Sequence, residues 1–258
     1  MLITLQADSW IRLKGLGGEA LHGLFFDILR KGSAELASRL HRVSEQKPFS
    51  IFPLLEGHEL RKGYSFIAAG KEFSFKLAVF NEEMLTAVIS SLSALMAEDG
   101  TLFLSGKPIT LKHIDLGEEN FASFSQILAE DAPESTITLE FITPTSFKVG
   151  GIQALFPEPR LVFSSLLKRW NKFSEVKLPD EYMESFPSIK VSGYNLHTEL
   201  IHFSRYKMIG FKGKVQYELP RQCPPSLRKA INALAKFACY AGVGVKTAMG
   251  MGQTKRLS

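Results

Sequence analysis

The chain has 258 residues, 45% hydrophobic and 22% charged, values ordinary for a globular protein, so one large domain or two of about 130 residues each can bury a core without a disulfide or metal staple. No apolar run reaches the ~20 residues of a bilayer span, Met1 to Gln6 is too short and lacks the basic flank of a signal peptide, and Cys223 and Cys239 are too few for a disulfide framework or a zinc site, which excludes a secreted mini-protein, a membrane span and a zinc module and sets a reducing, cytoplasmic compartment as the expectation. Charge is unevenly spread: residues 1–129 carry 13 Lys+Arg against 15 Asp+Glu, a net of −2, whereas residues 200–258 carry 11 basic residues against the single acid Glu218, a net of +10, which is the footprint of a polyanion partner or else a solvated basic face.

The first segment, Leu2 to Ala7, alternates and predicts a strand. A Gly-rich stretch, Lys14 to Gly18, precedes a helix over Glu19 to Lys31, whose Leu21, Leu24, Phe25, Ile28 and Leu29 follow helical spacing. Gly32 ends it, and Ser33 caps a short helix through Leu40. After Lys47-Pro48 an extended run covers Phe49 to Leu55. Strands are predicted over Tyr64 to Ala69 and Glu72 to Val79. Asn81 caps a helix reaching about Ala97, and strands follow over Thr101 to Ser105 and Ile109 to Leu116. The polar, acidic stretch Leu116 to Ser135 reads as a linker.

Beyond it, Thr136 to Thr143 alternates as a strand. Pro157 and Pro159 precede a helix over Arg160 to Phe173, with Trp170 on its apolar side. Lys190 to Arg205 and Lys207 to Leu219 form a hairpin around Tyr206. Pro224-Pro225-Ser226 opens a helix through Tyr240, and a terminal strand covers Gln253 to Leu257. Both halves reduce to β-α-β-β-α-β. The expected fold is α+β, two tandem ferredoxin-like (RRM-type) domains, residues 1–125 and 133–258.

The segment Ala241 to Gly252 places Gly242, Gly244, Gly250 and Gly252 around Lys246 and Thr247. It follows a helix and precedes a strand, which is the wrong polarity for a dinucleotide loop, and no helix starts at its Lys-Thr as a P-loop requires. Glycines without Cβ atoms still let backbone amides approach phosphates. The alternative is a plain turn that needs glycines for positive φ.

This motif, Gly-Val-Gly-Val-Lys-Thr-Ala-Met-Gly-Met-Gly-Gln, resembles the C-terminal Gly-rich loop of the CRISPR-associated endoribonucleases that process precursor CRISPR RNA, members of the RAMP superfamily. The resemblance is collinear over nearly the whole chain. It includes Ala20-Leu-His-Gly-Leu-Phe-Phe26, Leu40-His41 with Lys47-Pro-Phe-Ser-Ile51, Thr143-Pro-Thr-Ser-Phe147, Phe156-Pro-Glu-Pro159 and Leu166 to Trp170. It implies two ferredoxin-like domains and metal-independent cleavage within the repeats of a precursor transcript. The ribose 2′-OH would attack the scissile phosphate, leaving a 2′,3′-cyclic phosphate and a 5′-OH.

Such cleavage needs a base, an acid and a cation. Histidine suits either proton role near neutral pH, and lysine suits the third. His41 matches the family histidine and Lys47 the family lysine, with His41 in the first domain as the principal catalytic residue. The family tyrosine falls on Phe26, which has no hydroxyl. His22, four residues earlier on the same helical face, is the substitute, with an exposed polar residue as its alternative. Which histidine is base and which is acid stays open. His58, His113, His197 and His202 have no motif support.

RNA contacts are expected from Gly242, Gly244, Lys246, Thr247, Gly250 and Gly252 in the loop. Further candidates are Arg205 and Lys207 on the hairpin, Arg228 and Lys229 opening the last helix, and Lys168 and Arg169, for which a solvated helix face is the alternative. No metal and no cofactor is implied. The expected partner is the CRISPR precursor RNA repeat, and no membrane. Effector-complex subunits and a second copy of the chain, as a homodimer, are further partners the sequence leaves open. The competing readings are a non-catalytic RNA-binding RAMP subunit of an effector complex and a single-stranded RNA-binding protein outside CRISPR systems.

Overall fold

The computed structural model of the chain describes residues 1–42, 46–56, 59–61, 63–98, 100–117, 120–129 and 133–257. His58 lies outside them. Two compact units emerge. The first comprises Met1–Phe121, His202–Lys207 and Ala248–Gly250, and the second Ala122–Ile201, Met208–Thr247 and Met251–Ser258. Both are discontinuous in sequence, unlike the segments 1–125 and 133–258 read from element order.

In the first unit the strands are β1 (Leu2–Ala7), β2 (Ile11–Lys14), β3 (Phe49–Glu56), β4 (Glu59–Arg61), β5 (Tyr64–Ile67), β6 (Glu72–Val79), β7 (Leu102–Leu104) and β8 (Lys107–Asp115). The helices are α1 (Gly18–Gly32), α2 (Ala34–Arg42) and α3 (Glu82–Ala97). The main sheet has the order β3-β6-β1-β8-β7, and β1 pairs antiparallel with both β6 and β8. Without the added edge strand β7, that is the ferredoxin-like order around β1-α1-β3-β6-α3-β8. Alternation works as expected in β1, where Ile3, Leu5 and Ala7 are buried against the helices. Helix α1 buries Leu21, Leu24, Phe25, Ile28 and Leu29. The Ser33 hydroxyl accepts the Leu36 amide at 3.3 Å, and Asn81 Oδ1 accepts the Met84 amide at 2.9 Å, so both predicted caps satisfy helix-end donors. A small sheet, β2-β5-β4, was not foreseen. Strand β5 falls within the run predicted over Tyr64 to Ala69, but β2 and β4, four and three residues long, are too short for periodicity to stand out.

The second unit contains α4 (Phe124–Leu128), β9 (Thr136–Thr145), β10 (Phe147–Val149), β11 (Ile152–Ala154), α5 (Pro159–Phe173), α6 (Tyr182–Ser185), β12 (Lys190–His202), β13 (Lys207–Glu218), α7 (Pro225–Ala241) and β14 (Thr254–Leu257). Its sheet order is β12-β13-β9-β14, the same ferredoxin-like arrangement around β9-α5-β12-β13-α7-β14. The core joins Ile137, Leu139, Phe141, Val215 and Tyr217 of the sheet to Val162, Phe163, Leu166 and Trp170 of α5 and Ile231 and Leu234 of α7. Buried Tyr217 keeps its hydroxyl satisfied by donating to Pro157 O at 2.9 Å, and burial pushes its phenol pKa well up.

The expected linker over Leu116 to Ser135 needs correction. It contains α4, opened by a reciprocal capping box between Ser123 and Gln126. Phe124 packs edge-on to Trp170 at 4.9 Å and lies 5.4 Å from Phe237. Five helical residues carry too little pattern to reveal this. Among the described residues no helix is long and apolar enough to cross a membrane.

Candidate active site

Three of the expected residues converge on one ring. His22 and Phe26 are one turn apart on α1, and their ring centroids lie 4.9 Å apart. His41, in the last turn of α2, meets Phe26 edge-on at 5.8 Å. Lys47, just before β3, places its ammonium 5.9 Å from the same centroid. Phe49, the first residue of β3, closes the group from beneath, 5.8 Å from His22, 6.0 Å from Phe26 and 4.1 Å from Phe25. Phe25 and Phe49 are wholly buried and Phe26 is 5% exposed. The floor is therefore apolar and rigid, and the polar groups stand around its rim. His41 is exposed, while His22 and Lys47 are half-buried.

The Lys47 ammonium donates to Leu40 O at the end of α2, one of the carbonyls a helix C-terminus leaves without an intrahelical donor. That bond ties the end of α2, and with it His41, to the start of β3. Burial lowers the Lys47 pKa. Chemically, the rim offers two imidazoles able to exchange protons and one ammonium able to face an anion. Among the described residues no group of three or more His, Cys, Asp or Glu side chains gathers as a metal site.

The first unit also brings the hairpin tip to this helix. Glu19 is one turn before His22 on α1, and its Oε2 accepts both the amide and the hydroxyl of Ser204 at 2.7 Å. Lys14 Nζ donates to Ser204 O at 3.2 Å. These bonds hold the turn in which Arg205 and Lys207 are exposed. Residues 19 and 204 are 185 apart in sequence, so no local signal marked them. At the start of α1, a Cβ on Gly18 would sit 2.1 Å from Met249 O, so the absence of a side chain there allows the end of the Gly-rich segment, including Gly250, to lie against this helix.

The remaining candidates lie in the second unit. Lys168, Lys229 and Lys246 are exposed, and Arg228 is half-buried. Arg169 corrects the sequence reading. It is 5% exposed, donates to Ala241 O at 2.9 Å and to Thr247 Oγ1, and is charged at neutral pH although burial lowers its pKa to about 9. Thr247 is equally buried. The pair braces the Gly-rich loop from inside, and neither side chain faces an external phosphate.

Four of the loop's amides are already taken within the unit. Those of Val243, Val245, Met251 and Gly252 bond to Gly252 O, Ser146 O, Lys246 O and Pro144 O at 2.7 to 3.2 Å. They hold the loop to itself and to residues 144–146, so these four amides are not open to a phosphate. Gly242, Gly244, Gly250 and Gly252 all have positive φ. At Gly244 a Cβ would also lie 2.3 Å from Ser146 O, so this loop needs glycine both for conformation and for space.

Two ferredoxin-like units in series, with a Gly-rich loop before the last strand, define a RAMP-type architecture. The chain belongs to the CRISPR-associated endoribonuclease Cas6 family: the Cas6 N-terminal domain model matches residues 1–91 and the Cas6 endoribonuclease model residues 139–254. It is similar to the Cas6 endoribonuclease of Mycobacterium tuberculosis, 22% identical over 256 residues, covering 98% of this chain and 76% of that protein. Among solved structures it is similar to a Thermus thermophilus Cas6 product complex, 26% identical with a TM-score of 0.77, covering 100% of this chain and 99% of that one. A second Cas6 product complex is 27% identical with a TM-score of 0.74 and the same coverage. The family assigns an endoribonuclease role in processing CRISPR precursor RNA.

Proposed function

We propose that this chain cleaves CRISPR precursor transcripts within their repeats, without a metal ion, by intramolecular attack of a ribose 2′-OH. One histidine takes the 2′-OH proton as the new P–O bond forms. The other protonates the departing 5′-oxygen as the P–O5′ bond breaks. Lys47 faces the charge that builds on the phosphoryl oxygens. The products are a 2′,3′-cyclic phosphate and a 5′-OH. The observation that carries this reading is the gathering of His22, His41 and Lys47, from three different elements, around Phe26. Similar chains captured as product complexes support it.

Repeat RNA is held, in this proposal, by phosphate contacts from Lys246, Arg205, Lys207, Lys229 and Lys168, all exposed. Gly242, Gly244, Gly250 and Gly252, with Thr247 and Arg169 behind them, shape the loop that presents Lys246. The missing hydroxyl at Phe26 is what favours the second reading, a binding subunit without turnover. The test is cleavage of labelled repeat RNA in EDTA, with and without a 2′-deoxy substitution at the scissile nucleotide. Cleavage that survives EDTA, stops on 2′-deoxy substitution and leaves a cyclic phosphate is expected. Dependence on magnesium, or cleavage of the 2′-deoxy RNA, overturns the mechanism. Tight binding without cleavage supports the binding subunit.

A further inference from the structure

The outer face of the small sheet β2-β5-β4 takes no part in the chemistry above. On β2, Ile11 and Leu13 are buried while Arg12 and Lys14 are exposed. On β5, Ser65 and Ile67 are buried while Tyr64 and Phe66 are half-exposed. The antiparallel register sets Arg12 opposite Phe66 and Lys14 opposite Tyr64, so two cations and two aromatic rings share one face. The Arg12 guanidinium lies over the Tyr64 ring, 3.8 Å from its centroid, and 5.8 Å from that of Phe66. Trp10, two residues before Arg12 and of the same parity, is 68% exposed. Among the described side chains the acid in register on this face is Glu59, opposite Phe66. Through Lys14, which bonds Ser204 O, the face adjoins the hairpin tip with its exposed Arg205 and Lys207.

Exposed aromatic side chains interleaved with cations match single-stranded nucleic acid: ring and guanidinium faces stack bases, and ammonium groups meet phosphates. The excess of positive charge favours RNA over a protein partner. We propose that this face is a stacking platform for a single-stranded segment of the RNA, separate from the His22–His41–Lys47 cluster; the inference rests on the reading of the chain as an RNA nuclease. Bases stack on Trp10 and on the face of Arg12 turned away from Tyr64, while the backbone runs toward Lys14, Arg205 and Lys207.

Trp10 and Trp170 are the two tryptophans of the chain, and Trp170 is wholly buried. Emission changes on RNA binding therefore report Trp10. The full chain is titrated with repeat RNA carrying a 2′-deoxy scissile nucleotide, either bare or with an oligouridine extension on its 5′ or 3′ side. An extension is expected to tighten binding and quench Trp10. Trp10→Ala and Arg12→Ala should each remove about tenfold of that added affinity. Both should leave the affinity for bare repeat, and the single-turnover rate on cleavable repeat, unchanged. Trp10→Phe should retain most of the gain. Trp10 packs little, so its loss does not threaten folding. Extensions that neither tighten binding nor quench Trp10, or variants that bind them as wild type does, overturn the platform and leave the face to a protein partner. Failure to bind or cleave the bare repeat is a separate result, and it brings down the nuclease reading together with the platform.

Discussion

The sharpest test of the site compares what each histidine does for rate with what it does for stability. His41 is exposed and meets Phe26 only edge-on. Removing such a side chain costs within about 0.5 kcal/mol of folding free energy, a shift of roughly 2 °C or less in Tm for a chain of this size. Loss of a general acid or base costs about 10²- to 10⁴-fold in rate, which is about 3–5 kcal/mol on the barrier. His41→Ala should therefore fold like wild type and cleave at least about a hundredfold more slowly. His22 differs, because it packs between Phe26 at 4.9 Å and Phe49 at 5.8 Å. His22→Ala leaves a gap and should lower stability by about 1–2 kcal/mol. His22→Phe fills that gap but transfers no proton. If His22 is catalytic, both variants should be slow to the same degree while their Tm values differ. The assay is single-turnover cleavage of saturating repeat RNA in EDTA, with thermal melts of the same samples. A His41→Ala enzyme that melts normally and cleaves within tenfold of wild type would sink the acid–base assignment. A His22→Phe enzyme with full activity would reduce His22 to packing.

Burial lowers the Lys47 pKa, so its ammonium is neutralised closer to neutral pH than an ordinary lysine. Its electrostatic help is present below that pKa and fades as pH rises through it, so cleavage by wild type should fall off in alkali where Lys47→Arg stays flat; parallel pH–rate profiles would refute the role. Arg169→Met strips Ala241 O and Thr247 Oγ1 of their buried donor, and should cost about 2–4 kcal/mol in urea unfolding, whereas Lys168→Ala should change it by less than about 0.5 kcal/mol. Gly244→Ala meets both a φ of 79° and Ser146 O at 2.3 Å, so a loss of at least about 2 kcal/mol is expected in the same measurement. Arg205→Ala should reduce the slope of log affinity against log salt by about 0.7–0.9, as one phosphate contact does; an unchanged slope would remove Arg205 from the interface.

Element order was legible because the patterns behind it are local. Alternation in β1, the 3.6-residue spacing of α1, and the Ser33 and Asn81 caps each depend on a few neighbouring residues. The convergence of His22, His41 and Lys47 was legible only in part. The pairing of His22 with Phe26 follows from helical spacing, but the approach of α2 and β3 does not. That approach depends on Phe49 entering the core and on Lys47 reaching Leu40 O. Burial separated residues that look alike in sequence: Lys168 and Arg169 are adjacent basic residues on α5, yet one is exposed and the other braces a loop. The Glu19–Ser204 bond could not be read at all, since it joins a helix start to a hairpin tip far along the chain. The Gly-rich loop was marked as unusual, but which of its amides are already bonded was not legible, since those of Val245 and Gly252 depend on the path of residues 144–146 alongside it.

Phe26 gathers these features into one argument. The ring stands where the resemblance places a tyrosine, and at 5% exposure it lies among Phe25, Phe49 and the two histidines. A hydroxyl there would have to be satisfied inside an apolar cluster or cost the free energy of an unpaired polar group. A phenyl avoids that cost and keeps water from the floor of the site. With less water beneath it, an interaction between Lys47 and a phosphoryl oxygen is less screened, and the same desolvation is what lowers the Lys47 pKa. In the proposed mechanism, a ring that cannot carry a proton leaves both proton transfers to its neighbours. That mechanism assigns one transfer to each of the two imidazoles on the rim of Phe26.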